Sequence, residues 1–232
     1  MAEQPLLVLG KIRTILDAFT LATPVQTAAQ IRQSTGLPSS TAHRLLANLV
    51  EHGFLDREGE AFRIGARMAY WAGPATRARD LVDLLAPQLE ALRDATGETA
   101  CCFRVEQGSR VCVAVAETRH GLKRDMYVGR IQPLHVGSAG RVLLAWDGAL
   151  LDAVAAGPLP ALTDATITDA DALRAAADET RAQGYAITIG ERVEAASGVS
   201  APIFDAHAQV VGALTVMGPT LRMPFEVCAS MV

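Results

Sequence analysis

Polar and cationic side chains stand beside an apolar stripe in residues 39–53, SSTAHRLLANLVEHG. The stripe has the spacing of one buried helix face and consists of Ala42, Leu45, Leu46 and Leu49. Its neighbours could bind base edges or phosphates, and they are Ser39, Ser40, Thr41, His43, Arg44 and Asn48. The pattern predicts an amphipathic helix with one face in a core and one edge available to DNA.

A second group of residues could bind an anion. In residues 137–141, GSAGR, a glycine-rich bend leads into a predicted helix, and Ser138 adds a hydroxyl. Free N–H groups and the positive end of the helix dipole favour a carboxylate ligand there. A helix capped by Ser138 with nothing bound explains the same motif and is favoured by that motif alone. Ser197, Ser200 and Thr215 alternate with apolar residues, so they either line a pocket or are ordinary strand hydroxyls.

Catalytic and metal chemistry is not indicated. A hydrolase needs a converging nucleophile, base and orienter, and neither GSAG at Ser138 nor the adjacent Cys101 and Cys102 has the signature of a nucleophile elbow. Glu191 is more typical of a solvated group, or of a partner for Arg192, than of a catalytic carboxylate. The histidines outside the first 80 residues show no metal-ligand spacing: His120, His135 and His207. We therefore predict no enzyme, no catalytic residue, no cofactor and no metal.

The elements around residues 39–53 are those of a helix-turn-helix. Thr27 to Gln30 has the form of a capping box that opens a short helix ending at Gly36, and Pro38 lies near the first turn of the next helix. The other predicted elements are a helix through residues 12–19 and a hairpin of strands 54–57 and 61–64, which carries Arg57 and Arg63. Three helices and a wing predict a winged helix-turn-helix. A protein-binding or purely structural helical module is the alternative.

The rest of the chain predicts an α+β domain around an antiparallel sheet, half-covered and concave on one side. Predicted helices span 81–97, 139–146, 149–156 and 168–184; predicted strands span 99–106, 110–117, 124–128, 185–189, 198–204 and 209–217. Such a layout suits a small-molecule sensor.

Composition and charge are consistent with a chain of two domains. Half of the 232 residues are hydrophobic, which excludes a disordered chain. The net charge is −4, but residues 1–79 hold nine Lys and Arg against six Asp and Glu, a net of +3, and residues 80–232 hold twelve against nineteen, a net of −7. No signal peptide or membrane-spanning stretch is predicted, so we expect a cytoplasmic protein.

The connecting segment, residues 66–80, contains Trp71 and Tyr70. Exposed aromatic residues on a linker favour a dimerising hinge, but a simple connector is equally compatible with the segment. Gly73-Pro74 is expected to bend or break any helix there.

Three motifs in this order resemble the IclR family of bacterial transcription regulators. They are LPSSTAHRLLANLVEHGFL at 37–55, PLHVGSAGRVLLAW at 133–146, and GYAITIGE with GVSAPIFDAHAQVVGALTVMGP at 184–219. The resemblance implies a winged helix-turn-helix DNA-binding domain at 1–65, a dimerising linker helix at 66–80 and an effector-binding domain similar to GAF and PAS modules at 81–232. It also implies palindromic operators bound by dimers or dimers of dimers.

The resemblance further implies which residues meet DNA and effector. DNA contacts are expected from Thr27, Ser39, Ser40, Thr41, His43, Arg44, Asn48, Arg57 and Arg63. Effector contacts are expected from Ser138, Ala139, Thr188, Gly198, Thr215 and Met217. Because several of the latter are apolar or mildly polar, we expect a larger, partly apolar carboxylate, such as an aromatic acid or a branched amino acid or its precursor. The expected function is a ligand-responsive repressor of a metabolic operon that binds double-stranded operator DNA.

Overall fold

The chain divides into two units, residues 1–79 and 80–232, in a computed structural model that describes residues 7–20, 23–77 and 80–232. Both units combine helices with antiparallel sheet, which confirms the predicted α+β class. Within the described residues, no helix is both long enough and apolar enough to cross a membrane.

The first unit is a winged helix-turn-helix. Its elements are α1 (Leu7–Asp17), β1 (Val25–Thr27), α2 (Ala28–Thr35), α3 (Ser39–Glu51), β2 (Leu55–Glu58), β3 (Ala61–Ile64) and α4 (Ala66–Arg77). The three strands form a small sheet in the order β1-β3-β2. The helices and the wing were predicted, whereas β1 was not, because three residues are too few to show a strand period. β1 pairs with β3 through Gln26 opposite Phe62.

Local sequence explains how α2 and α3 are placed. The predicted capping box forms: the Thr27 N–H donates to Gln30 Oε1 at 2.8 Å, and the Gln30 N–H donates to Thr27 Oγ1 at 3.3 Å. Gly36, at φ +68°, ends α2 in the left-handed conformation. α3 then buries the four apolar residues of its stripe against α1, α2 and the wing, in a core formed by Ile15, Ile31, Leu45, Leu46, Leu49, Leu55 and Phe62.

The expected break at Gly73-Pro74 is wrong. α4 runs from Ala66 through both residues to Arg77. Proline removes one backbone hydrogen bond, and a helix can absorb that loss by a local adjustment when the turns on either side are intact. At its start, α4 is tied to the winged unit because Trp71 packs edge-on against Phe54, with ring centroids 4.9 Å apart.

The second unit is a six-stranded antiparallel sheet with helices on both faces. Its elements are α5 (Asp80–Thr96), β4 (Thr99–Glu106), β5 (Ser109–Ala116), β6 (Ile131–Gln132), α6 (Gly137–Ala145), α7 (Gly148–Ala155), α8 (Ala170–Gln183), β7 (Ala186–Ile189), β8 (Ala196–Phe204), β9 (Val210–Pro219) and α9 (Phe225–Ala229). The strand order is β6-β5-β4-β9-β8-β7.

Two sequence expectations for this unit are corrected. The sheet is not half-covered: α6 and α8 pack on the face that holds Cys101 and Phe103, and α5 packs on the face that holds Cys102 and Val113. Buried strands with apolar residues on both faces produce this arrangement. Residues 124–128 form no strand; β6 at 131–132 pairs with β5 instead. All four cysteines are free and buried.

Candidate DNA interface and effector pocket

The polar edge of α3 is exposed as predicted. His43, Arg44 and Asn48 are all exposed, while their apolar neighbours Leu45 and Leu46 are buried. His43 Nδ1 lies 2.8 Å from the carbonyl oxygen of Ser39, which can only accept, so Nδ1 carries the hydrogen. Nε2 is therefore the ring nitrogen left to meet another molecule.

Arg44 is the cation on this edge that can act without breaking a protein contact. Within the described residues, no carboxylate lies within ion-pair distance of its guanidinium. Asn48 donates from Nδ2 to the Arg44 carbonyl oxygen at 2.8 Å, which leaves the amide oxygen Oδ1 available. Together, Arg44 and Asn48 offer donors and acceptors of the kind that bind base edges.

The start of α3 carries the remaining predicted contacts. Ser39 and Ser40 are exposed and Thr41 is half-buried, all in the first turn after Pro38. No side chain caps this helix, so its first N–H groups can bond a phosphate. Thr27 is half-buried, and its side chain is already engaged as the α2 cap.

The two wing cations are exposed but paired with wing carboxylates. Arg57 lies 3.7 Å from Glu60, and its Nε donates to the Gly59 carbonyl oxygen at 3.0 Å. Arg63 lies 3.7 Å from both Asp56 and Glu58. Exposed pairs of this kind are worth little, so a phosphate can replace the carboxylate at small cost. The wing itself carries no net positive charge, because residues 54–64 hold two arginines against three carboxylates.

All six residues that the sequence analysis put at an effector site line one pocket in the second unit. The pocket contains about 430 Å³ of atom-free space, part of it open to solvent. It lies between the start of α6 and strands β7, β8 and β9. The Ser138 N–H donates to Thr188 Oγ1 at 3.0 Å, Ser200 Oγ donates to Ser138 Oγ at 2.7 Å, and Ser200 Oγ lies 2.8 Å from Thr215 Oγ1. One side of the pocket is thus a connected set of hydroxyls.

Position 198 has to be a glycine because Ser138 lies directly against its backbone. A Cβ at this position would lie 2.8 Å from Ser138 Oγ, so a side chain there would push into the hydroxyl set. Met217 and Ala139 contribute apolar surface, as expected.

The charged end of the pocket was not predicted from the sequence. Arg110, Gln132 and Arg192 also line it. Arg110 is 3% exposed and its guanidinium stacks 5.1 Å from the ring centre of Phe103. Burial, and then the positive charge of Arg192, lower the pKa of Arg110 to about 9. The sequence held no signal for the burial of Arg110, because this residue lies beside the β4–β5 hairpin turn, where charged residues are normally exposed.

Glu191 has a different partner from the one expected. Its Oε2 accepts from the Gly137 N–H at 2.8 Å, and its Oε1 is bound by Arg141 rather than Arg192. Sequence proximity suggested Arg192, but α6 brings Arg141 to the carboxylate from 50 residues away. Glu191 thereby occupies the N–H group of Gly137 at the start of α6.

Comparison with known proteins decides the family. Residues 8–59 match the model of the IclR helix-turn-helix domain, and residues 74–231 match that of the C-terminal domain of bacterial transcriptional regulator IclR. The chain belongs to the IclR family. The resemblance inferred from the three sequence motifs is thus confirmed.

Individual IclR-family proteins are similar over most of their length. The HTH-type transcriptional regulator BhcR of Paracoccus denitrificans is 30% identical over 219 residues, 93% of this chain and 78% of that protein. The transcriptional repressor IclR of Escherichia coli is 27% identical over 200 residues, 84% and 73% of the two chains. A crystal structure of an IclR homologue of Microbacterium hydrocarbonoxydans, complexed with 4-hydroxybenzoate, has a TM-score of 0.77 at 26% identity and covers 96% of both chains.

Membership of the IclR family agrees with the prediction that the protein is not an enzyme, since the relatives are named as transcriptional regulators. Within the described residues, the hydroxyl of Ser138 accepts a hydrogen bond from Ser200 Oγ at 2.7 Å.

Proposed function

We propose that this IclR-family regulator represses a metabolic operon by binding a palindromic operator, and that a small carboxylate in the α6 pocket changes its operator affinity. The observation that carries the DNA-binding part is the division of α3 into a buried apolar stripe and an exposed edge with His43 and Arg44. The repressor role is supported by the named repressor among its relatives. Such a protein works in the cytoplasm, where the chromosome lies.

In this proposal, α3 enters the major groove. Arg44 and His43 contact bases or adjacent phosphates, Asn48 contacts a base edge, and Ser40 and Thr41 fix the register. Two-fold symmetry places the half-sites about one helical turn, roughly 10 bp, apart.

A homodimer, or a dimer of dimers, is supported by apolar surface in the first unit. Leu7 and Leu9 on α1 are 81% and 60% exposed, and Tyr70 on α4 is 78% exposed. Exposed apolar residues in clusters are typical of protein–protein contacts. We propose that α1 and the linker helix α4 pair two chains.

Arg44→Ala tests the α3 contact. We expect operator affinity to fall by about 1–3 kcal/mol, roughly 5- to 150-fold, because Arg44 is free to bind a guanine edge. Fluorescence anisotropy with DNA flanking the gene measures the change. Arg181→Ala, at an exposed position of α8, is the control and should leave the affinity unchanged. Unchanged binding by Arg44→Ala would remove this residue from the interface.

Arg57→Ala tests the wing. Because Arg57 can exchange Glu60 for a phosphate, we expect a uniform loss of affinity across DNA sequences and a salt dependence whose slope falls by about 1. Titrations over a series of salt concentrations give the slope. A slope equal to that of the wild type would show that the wing does not touch the backbone. A flat salt dependence in the wild type would favour the alternative that the winged unit binds protein.

The proposed effector binds beside the start of α6. Phe103, Met126 and Met217 give the pocket an apolar wall, and Arg110 gives it a buried cation. This combination favours a partly apolar carboxylate, and the 4-hydroxybenzoate complex of the Microbacterium homologue supports an aromatic acid. A ligand that binds one arrangement of the two winged units in a dimer better than another would shift the operator affinity by that difference.

A further inference from the structure

Positive charge in the effector pocket is not balanced by negative charge. Arg110 and Arg192 both line the pocket. Glu191, the carboxylate that lines it with them, is already bound by Arg141 and by the Gly137 N–H. The Arg141–Glu191 pair is therefore neutral as a unit, and two guanidinium groups are left over. Within the described residues, neither of these two has an ion-pair partner.

Two buried nitrogen atoms at this end of the pocket also lack an acceptor. Arg110 Nε and Gln132 Nε2 are shielded from solvent and have no hydrogen-bond partner. Both residues are more than nine-tenths buried, Arg110 at 3% and Gln132 at 5% exposed. Buried donors are almost always paired in folded proteins, so an unpaired set in a pocket indicates a missing acceptor. Arg110 NH2 and NH1 would lie 3.3 and 3.4 Å from a Cβ built on Gly137, so this end adjoins the start of α6.

The second guanidinium, Arg192, stands among other cations. Desolvation, followed by the charges of Arg124 and Arg130, lowers the pKa of Arg192 to about 10. Arg130 is bound to Asp125 at 3.0 Å, but for Arg124 the described residues provide no such carboxylate. A single carboxylate carries one negative charge, so it leaves one of the two positive charges that line the pocket unbalanced.

We infer that the effector carries two anionic groups, as a dicarboxylate does. One carboxylate pairs with the guanidinium of Arg110, whose NH1 and NH2 lie beside Gly137, the other pairs with Arg192, and the apolar body packs against Phe103 and Met126. The inference rests on the proposed function, since it assumes that this pocket binds a carboxylate effector, and it specifies the charge of that effector.

Matched ligand pairs test the second charge. Succinate, glutarate, adipate and terephthalate are each compared with their own monoamide, which keeps the shape and removes one charge. Isothermal titration of the full chain should give, for the diacid of best fit, at least about 30-fold tighter binding than its monoamide. Arg192→Gln should reduce the affinity for that diacid to about the level of the monoamide. Arg181→Gln, exposed on α8, is the matched control and should alter neither.

Each other outcome contradicts the inference in a recognisable way. Equal affinity for diacid and monoamide would show a site for one anion, and the proposed carboxylate effector would stand. Tighter binding of the diacid that persists in Arg192→Gln would place the second carboxylate elsewhere. No binding by any pair at millimolar concentration would overturn both the dianion and the carboxylate effector, while the effect of Arg44→Ala on DNA would still test the regulator itself.

Discussion

Arg110→Met is expected to stabilise the ligand-free protein and to abolish its response to carboxylates. The wild-type side chain holds a buried charge whose Nε has no acceptor. Replacing a buried ionic group by a packed apolar side chain of similar size is neutral or stabilising, by about 1–4 kcal/mol. The contact with Phe103 offsets part of this, since a cation over a ring contributes about 0.5–2 kcal/mol. We therefore expect a gain of about 0.5–2 kcal/mol in the free energy of unfolding.

The same substitution should weaken binding. A carboxylate in the pocket would lose its buried charged partner, which costs about 2–5 kcal/mol, or 30-fold or more in affinity. Thermal unfolding with and without ligand measures both effects in one series. The wild type gains stability when the carboxylate binds, whereas Arg110→Met starts from a higher Tm and gains less at the same carboxylate concentration.

The pH dependence provides a further check on Arg110. Its pKa in the folded protein, about 9, lies below the usual value of 12.5. At pH below 9 the Arg110 guanidinium is protonated in both the folded and the unfolded chain. The free-energy cost of burying its charge therefore does not change with pH in that range. Above pH 9 the unfolded chain binds more protons, and stability should rise with pH through this group. The difference between wild type and Arg110→Met should therefore shrink as the pH increases above 9.

Arg104→Met is the matched control for these measurements. Arg104 lies on β4 opposite Val111 of β5, in the same sheet as Arg110, but it is exposed. Its replacement should change stability by no more than about 0.5 kcal/mol. If Arg110→Met were less stable than the wild type, the Arg110 charge would already be satisfied without a ligand, and the pocket would not need an anion.

The α3 edge could be predicted from sequence because its signals are local. These signals are the 3.6-residue period of α3, the capping box at Thr27 and the glycine at position 36. Each acts within a few residues, so the local sequence determines where α2 and α3 begin and end and which face of α3 is buried. The fold of the winged unit followed from those signals. β1 and β6 did not, since strands of three and two residues are defined by their partners and not by their own period.

The charged end of the pocket could not be predicted for the opposite reason. Arg110 follows the turn at 107–109, and a charged residue beside a hairpin turn is normally exposed. It is buried only because α6 and β6, which are distant in sequence, cover that end of the sheet. Glu191 was expected to be solvated or paired with Arg192, and its actual partner, Arg141, could not be foreseen for the same reason. The hydroxyls of Ser138, Ser197, Ser200 and Thr215 could be proposed from local pattern, whereas Thr188 was placed only by the family motif that contains it.

Gly140→Ala is expected to be the most destabilising single-methyl change in the second unit. A Cβ at Gly140 would lie 2.1 Å from the carbonyl oxygen of Leu134 and 2.9 Å from its carbonyl carbon. Both are backbone atoms, which cannot rotate away, so α6 has to move as a body. That movement would displace Val142 and Leu144, which are fully buried. Overpacking of this kind costs about 3 kcal/mol.

Gly148→Ala separates this clash from the general effect of adding a methyl group. Gly148 is the first residue of α7, and a Cβ there would meet nothing within 4 Å. Because alanine favours helix over glycine, this control should be neutral or more stable by up to about 1 kcal/mol. Urea unfolding followed by circular dichroism compares the two variants with the wild type. The loss in Gly140→Ala should be accompanied by weaker carboxylate binding, because Ser138 and Ala139 move with α6. A Gly140→Ala protein as stable as Gly148→Ala would show that α6 does not lie against Leu134, and the pocket built on that contact would have to be abandoned.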